Sequence, residues 1–280
     1  MAGALVSLRN IAKAWLLLVG GCLVFAGLGY LAGGVRLLSI LSFCCLLLAA
    51  ATYWYVDRVA LGMLGARELL LGEAPALHSA VERLAAVAGV PKPKLYLLPD
   101  AHPHALATGR GPRAGAIAVS SGLLTLCTPA ELEGVVAHEL AHIRHRDVLV
   151  TTAVVVTALT IVEASRIGGF LQRALLFGLA PVAAAIVHLV LSPKREFVAD
   201  RAAAAICESP HGLADALLRL EQGNELIEFR ASPATEPLYT LNPFEETGLA
   251  VLFVTHPPVA ERINRLRALD PGWREKLRAA

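Results

Sequence analysis

The 280 residues are 56% hydrophobic and only 17% charged, where a soluble domain carries roughly 25% charged residues. With 25 Lys and Arg against 23 Asp and Glu the formal charge is +2, and the mean hydropathy is +0.59. This balance excludes a disordered chain and a strongly basic nucleic-acid binder, and points to a protein whose solvent is partly lipid.

From Ala14 to Val35 no charge interrupts the chain, enough helix to cross a hydrocarbon core of about 30 Å. A second uncharged run, Leu37 to Val56, follows after Arg36 alone, and the turn Gly33-Gly34-Val35-Arg36 joins the two as a transmembrane hairpin within residues 1–56. A cleaved signal peptide is the rival for the first run; the length of the run and the lack of a small-x-small exit stand against it. Residues 57–147 regain the charges, Pro and Gly of a water-exposed domain. Ala74–Ala88 predicts an amphipathic helix and Lys94–Leu98 a strand, with short strands at His104–Thr108 and Ala116–Val119 around the turn Gly109-Arg110-Gly111-Pro112. Thr128-Pro129-Ala130-Glu131 opens a helix that runs toward Asp147: Thr128 is the N-cap, Pro129 sits at N1 and Glu131 closes a capping box at N3.

Two weaker apolar runs follow, Val148–Val162 and Ala174–Pro193, which suit either membrane helices or the buried helices of a domain. Arg9 and Lys13 ahead of the first run, Arg144 and Arg146 before the third, and Lys194 and Arg195 after the fourth favour a cytoplasmic side for the polar parts. Arg166 and Arg173 oppose that orientation. Residues 194–280 return to a polar, mostly helical pattern with a loop near 232–245. The five cysteines, Cys22, Cys44, Cys45, Cys127 and Cys207, form no C-x-x-C pair and read as small packing residues, with a catalytic Cys127 the poorer alternative.

His138-Glu139-Leu140-Ala141-His142 spells H-E-x-x-H. Positions i and i+4 share one helical face, so both imidazoles can reach a single ion, and Glu139 stands beside it as a proton acceptor for water. A catalytic zinc site needs a third protein ligand. His145 lies on the same face, but seven residues climb about 10.5 Å of helix, too far to share the ion. Glu196, with Asp200 one turn further on, is the better candidate, although two acids favoured by the dipole in the first turns of a helix account for the local pattern as well.

The pairing of HELAH with EFVAD across two apolar runs, after an N-terminal apolar hairpin, resembles the HtpX family. These are membrane-bound zinc metalloproteases of prokaryotes, related to the CAAX prenyl proteases and the mitochondrial inner-membrane protease OMA. The likeness holds in order and spacing from the first run to Leu269. It implies a mainly α fold with a small β-sheet, in a multi-pass membrane protein whose zincin-type catalytic domain is split by the apolar helices of 148–193 into 57–147 and 194–280. It further implies one Zn²⁺ held by His138, His142 and Glu196, Glu139 as catalytic base, and Asp200 orienting a ligand. The active site would face the cytoplasm from the cell (inner) membrane and act in quality control on misfolded or damaged membrane proteins and on the chain itself. The lipid bilayer and unfolded polypeptides are the expected partners, and nucleic acid is not; the oligomeric state stays open.

Thr255-His256-Pro257-Pro258-Val259-Ala260-Glu261-Arg262 is similar to the family's C-terminal HPP…R segment, which would set His256 and Arg262 on the oxyanion. A helix-start His-Pro with a solvated Arg is the alternative. His104-Ala105-Leu106-Ala107-Thr108-Gly109 is similar to the family's Asn-Ala-Phe-Ala-Thr-Gly strand, so His104, Ala105, Leu106 and Ala107 are expected to line the substrate cleft, with His104 where the family has Asn. Two rival functions remain: a zinc-binding membrane scaffold without peptidase activity, and a small transporter built around the intramembrane His188.

Overall fold

The computed structural model of this chain describes residues 57–152, 154, 193–226, 256–270 and 272, with scattered positions between 23 and 55. A mixed four-stranded sheet is built from β1 (Arg67–Glu68), β2 (Lys94–Leu98), β3 (Ala105–Gly109) and β4 (Gly115–Ser120), in spatial order β1-β2-β4-β3. β2 and β4 run parallel, in register from Lys94↔Ala116 to Leu98↔Ser120, and the outer strands pair with them antiparallel. The expected strands therefore stand within a residue of where the sequence puts them. Gly109, at φ +127°, turns the chain out of β3 at a place where a Cβ would collide with the Ala114 carbonyl.

The helices are α1 (Pro75–Ala88), α2 (Ser121–Leu126), α3 (Pro129–His145), α4 (Lys194–Ile206), α5 (His211–Leu226) and α6 (Val259–Arg267). The start of α3 is the expected capping box: the Glu131 N–H donates to the Thr128 hydroxyl at 3.4 Å and the Thr128 N–H to the Glu131 carboxylate at 2.7 Å. Arg219, from α5, also donates to that carboxylate, so the cap is tied to the helix packed beside it.

α3 is the central element. Val135, Val136, Ala137, Leu140, Ala141 and Ile143 are all fully buried, so apolar burial on several sides holds it against α1, α4, α5 and β3. Gly134 permits the closest of these approaches: a Cβ there would lie 2.5 Å from the Leu213 backbone nitrogen of α5. The helix stops at His145, two residues short of the expected Asp147, because Arg146 adopts the left-handed conformation at φ 61°. Residues 147–152 then resume a helix.

Residues 57–63 are helical, and at helical positions before them the side chains of Tyr30, Leu31, Val35, Ile40, Phe43, Leu46 and Trp54 are exposed. Among the described residues no helix is long and apolar enough to cross a membrane. The runs expected to do so (14–35, 37–56, and the two within 148–193) lie wholly or partly outside the described residues, as do His188 and the loop near 232–245.

Candidate metal centre and active site

One turn of α3 separates His138 from His142, and their Nε2 atoms stand 3.1 Å apart. Glu196, in the first turn of α4, brings Oε2 to 3.4 Å from His138 Nε2 and 3.6 Å from His142 Nε2. The three residues offer ligand atoms within 4.8 Å of one another, and the His138 and Glu196 side chains are all but inaccessible to solvent.

The far nitrogen of each imidazole is held by a carboxylate. His138 Nδ1–H donates to Asp200 Oδ1 at 3.0 Å, and His142 Nδ1–H donates to Asp147 Oδ2 at 3.1 Å. With a carboxylate behind each ring, both Nε2 atoms face the same point. Glu196 Oε2, buried beside them, makes no hydrogen bond among the described residues. Two imidazole nitrogens and a carboxylate oxygen thus converge on one buried point, a donor set that suits a divalent cation.

The electrostatics agree. Burial works against protonating His142, yet the Glu196 and Asp147 carboxylates outweigh it and push its pKa up to about 10. Burial likewise opposes ionisation of Glu196, but His256, His142 and His138 hold it well below the usual carboxylate range. A field strong enough to draw protons onto a buried imidazole draws a metal ion to the same place.

Residues 72–270 match the sequence family described as Peptidase family M48. The chain belongs to that family. It is 38% identical over 278 residues to a Protease HtpX homolog of Pelotomaculum thermopropionicum, covering 93% of this chain and 99% of the relative. It is 40% identical over 268 residues to a Protease HtpX homolog of Pyrococcus abyssi, covering 89% and 93%. Among solved structures it is similar to S. mikatae Ste24p at 18% identity and a TM-score of 0.49, over 95% of this chain and 66% of that one. This M48 chain is accordingly a metalloprotease, a hydrolase of peptide bonds.

Other candidate residues of the M48 chain gather around the same centre. Glu139 is buried beside His138 on α3. His256 lies with Nδ1 3.5 Å from Glu196 Oε2. Arg262, on α6, is not a solvated side chain: it is fully buried, and its Nε and one Nη donate to Asp200 at 2.9 and 2.7 Å, on the Nδ1 side of His138. His145 is buried and stands outside the three-residue ligand group. Burial pushes the Cys127 thiol up to about 12 and the Cys207 thiol up to about 11, which suits packing and not nucleophilic chemistry.

Asp147 is a partner of the site that the motif reading lacks. Its approach to His142 depends on the left-handed turn at Arg146, which no glycine announces.

β3 carries Ala105, Leu106 and Ala107, all buried, at the end of the sheet order. His104 precedes it with its N–H donated to Ser120 Oγ at 3.0 Å and its Nδ1–H to the His102 carbonyl at 2.9 Å. Burial, only partly offset by Asp100, lowers its pKa to about 4, so it is neutral in the folded state. A histidine with a depressed folded pKa contributes stability that is present above its unfolded value of about 6.5 and lost as pH falls toward 4. Thermal unfolding is expected to show that loss, at up to about 1.4 kcal/mol per pH unit for one proton, and His104→Asn to flatten the profile over this window. Identical profiles for the two proteins would contradict it.

Proposed function

We propose that the chain is a zinc-dependent endopeptidase of a prokaryotic cell membrane, with its active site facing the cytoplasm, that cuts misfolded or damaged membrane proteins and can cut itself. The observation that carries this reading is the convergence of His138 Nε2, His142 Nε2 and Glu196 Oε2, with Asp200 and Asp147 behind the two imidazoles. Two imidazoles and a carboxylate suit zinc among divalent metals. Bound there, zinc would supply Lewis-acid polarisation of the scissile carbonyl and of the attacking water.

The remaining steps belong to side chains. Glu139 accepts the water's proton as general base and delivers it to the leaving amine. His256, next to the ligand carboxylate, is in reach of a developing oxyanion, and Arg262 lends its charge from behind His138. β3, with His104 at its start and Ala105, Leu106 and Ala107 along it, pairs with β4 in the sheet, and its likeness to the family's cleft strand makes it the segment that lines the substrate cleft.

Support for the membrane comes from the uncharged runs and the exposed apolar side chains at helical positions between residues 30 and 54. The Arg110 guanidinium lies 4.6 Å over the Trp54 ring, tying the β3–β4 turn to the second run. The helix after α3 leads into the third run, and Glu196 follows the fourth by three residues, which would set the metal close to the bilayer surface.

The test is zinc content together with casein cleavage by the detergent-solubilised chain, wild type against Glu196→Ala. Wild type is expected to hold one zinc and to cleave until a chelator removes it; Glu196→Ala is expected to lose both. Stoichiometric zinc in a wild-type chain that cleaves nothing would favour the scaffold.

A further inference from the structure

Arg195 stands in the first turn of α4, where the helix dipole disfavours a cation, and it is adjacent in sequence to Glu196, a spacing that does not bring helical side chains together on one face. It nevertheless turns onto its neighbour: Nε donates to Glu196 Oε1 at 3.0 Å. The other end of the guanidinium reaches back across the site, Nη1 donating to Thr151 Oγ1 at 2.6 Å. The Thr151 hydroxyl donates in turn to the Asp147 carbonyl at 3.1 Å, and the Asp147 carboxylate holds His142. The bonds close a circuit from one ligand to another: His142, Asp147, Thr151, Arg195, Glu196.

We infer that Arg195 is a positioning residue that fixes which oxygen of Glu196 faces the metal and fastens that ligand to the 147–152 helix. The physical need is specific. The terminal torsion of a glutamate is soft and its two oxygens are equivalent, so an unrestrained carboxylate swings and exchanges them. With Oε1 taken by Arg195, Oε2 alone remains for the imidazole side, which is the oxygen found there. Only 14% of the Arg195 side chain is exposed, so these charge-assisted bonds act away from bulk water. A planar guanidinium can hold two acceptors at fixed angles; an ammonium cannot. The circuit also joins α4, which follows the apolar stretch 148–193, to the helix that begins that stretch.

The inference rests on the metalloprotease reading of this site, and its test separates the two. The full-length chain in detergent, loaded with one equivalent of zinc, is mixed with a chromophoric chelator and zinc release is followed. Arg195→Ala is expected to weaken zinc retention by about 10- to 100-fold, the range found when a partner behind a metal ligand is removed. Arg195→Lys, reaching one acceptor, should recover part of it, and Thr151→Val, which removes the second acceptor without changing volume, should fall between. Thermal unfolding of the zinc-free Thr151→Val and Arg195→Lys chains measures the structural share of each loss, and the unfolding midpoint is expected to order the variants differently from zinc retention if Arg195 acts on the ligand. The visible spectrum of the cobalt-substituted Arg195→Ala chain should change, which a purely structural residue would not cause. Wild-type release rates in both Arg195→Ala and Thr151→Val, with an unaltered cobalt spectrum, overturn the inference and leave the protease reading standing. A wild-type chain that takes up no stoichiometric zinc overturns both.

Discussion

Glu139→Gln is expected to keep its zinc and to cleave an unfolded polypeptide about 10²- to 10⁴-fold more slowly than wild type, the range that a positioned general base contributes. The substitution conserves volume at a side chain that is 3% exposed, so packing along α3 is undisturbed. What changes is chemistry alone: an amide cannot take a proton from water. Glu139 sits one residue past the first ligand, about 100° around the helix, and so projects beside the imidazoles instead of between them. His138→Ala makes the contrast, since it removes a ligand and is expected to lose metal and cleavage together. Zinc content measured alongside the cleavage rate separates the two outcomes. Normal turnover by Glu139→Gln would remove the base from the mechanism.

What could be read from the sequence here divides by the range of the physics involved. The start of α3 is a local event: Thr128, Pro129 and Glu131 satisfy the first backbone donors among themselves, and the structure reproduces that box. β2 is bounded by Pro93 and obeys a short apolar pattern, and it forms over Lys94–Leu98 as the pattern requires. By contrast β1 is two residues long and exists through its register with Leu97 and Tyr96, so no periodicity in its own sequence could reveal it. α2 is equally short; its signal is Ser120, whose hydroxyl caps it by accepting from the Leu123 N–H, set directly at the end of a strand. The third candidate ligand is placed by tertiary structure. Nothing near Glu196 distinguishes it from an acid favoured by a helix N-terminus, and only the folding of α4 against α3, across the apolar stretch between them, brings its carboxylate to the imidazoles. The same holds for Arg262, whose sequence neighbourhood reads as a solvated helix and whose side chain the fold buries completely.

That burial makes Arg262→Ala the largest expected loss of stability, about 3–5 kcal/mol, as for other buried pairs from which one partner is removed. Asp200 is buried, and burial alone would raise its carboxyl; the Arg262 guanidinium outweighs this and holds it at about 2. With Arg262 truncated, Asp200 must carry an uncompensated charge in a dry site or take up a proton. Either outcome weakens its hold on His138 Nδ1, so zinc retention should fall along with the unfolding midpoint. Pairing Arg262→Met with Asp200→Asn removes both charges at once and should cost less than the two single changes added together, because neither leaves the other exposed to a water-free interior. Thermal unfolding of the zinc-free wild type, the single variants and the double variant, followed by chelator competition on the zinc-loaded chains, measures this. A different result would move the residue in the mechanism: if Arg262→Ala kept both stability and zinc but lost cleavage, its guanidinium would act chiefly on the oxyanion and Asp200 would need another source of its low pKa. The geometry argues for the first outcome, since two of the guanidinium's donors already lie on Asp200 at 2.7 and 2.9 Å.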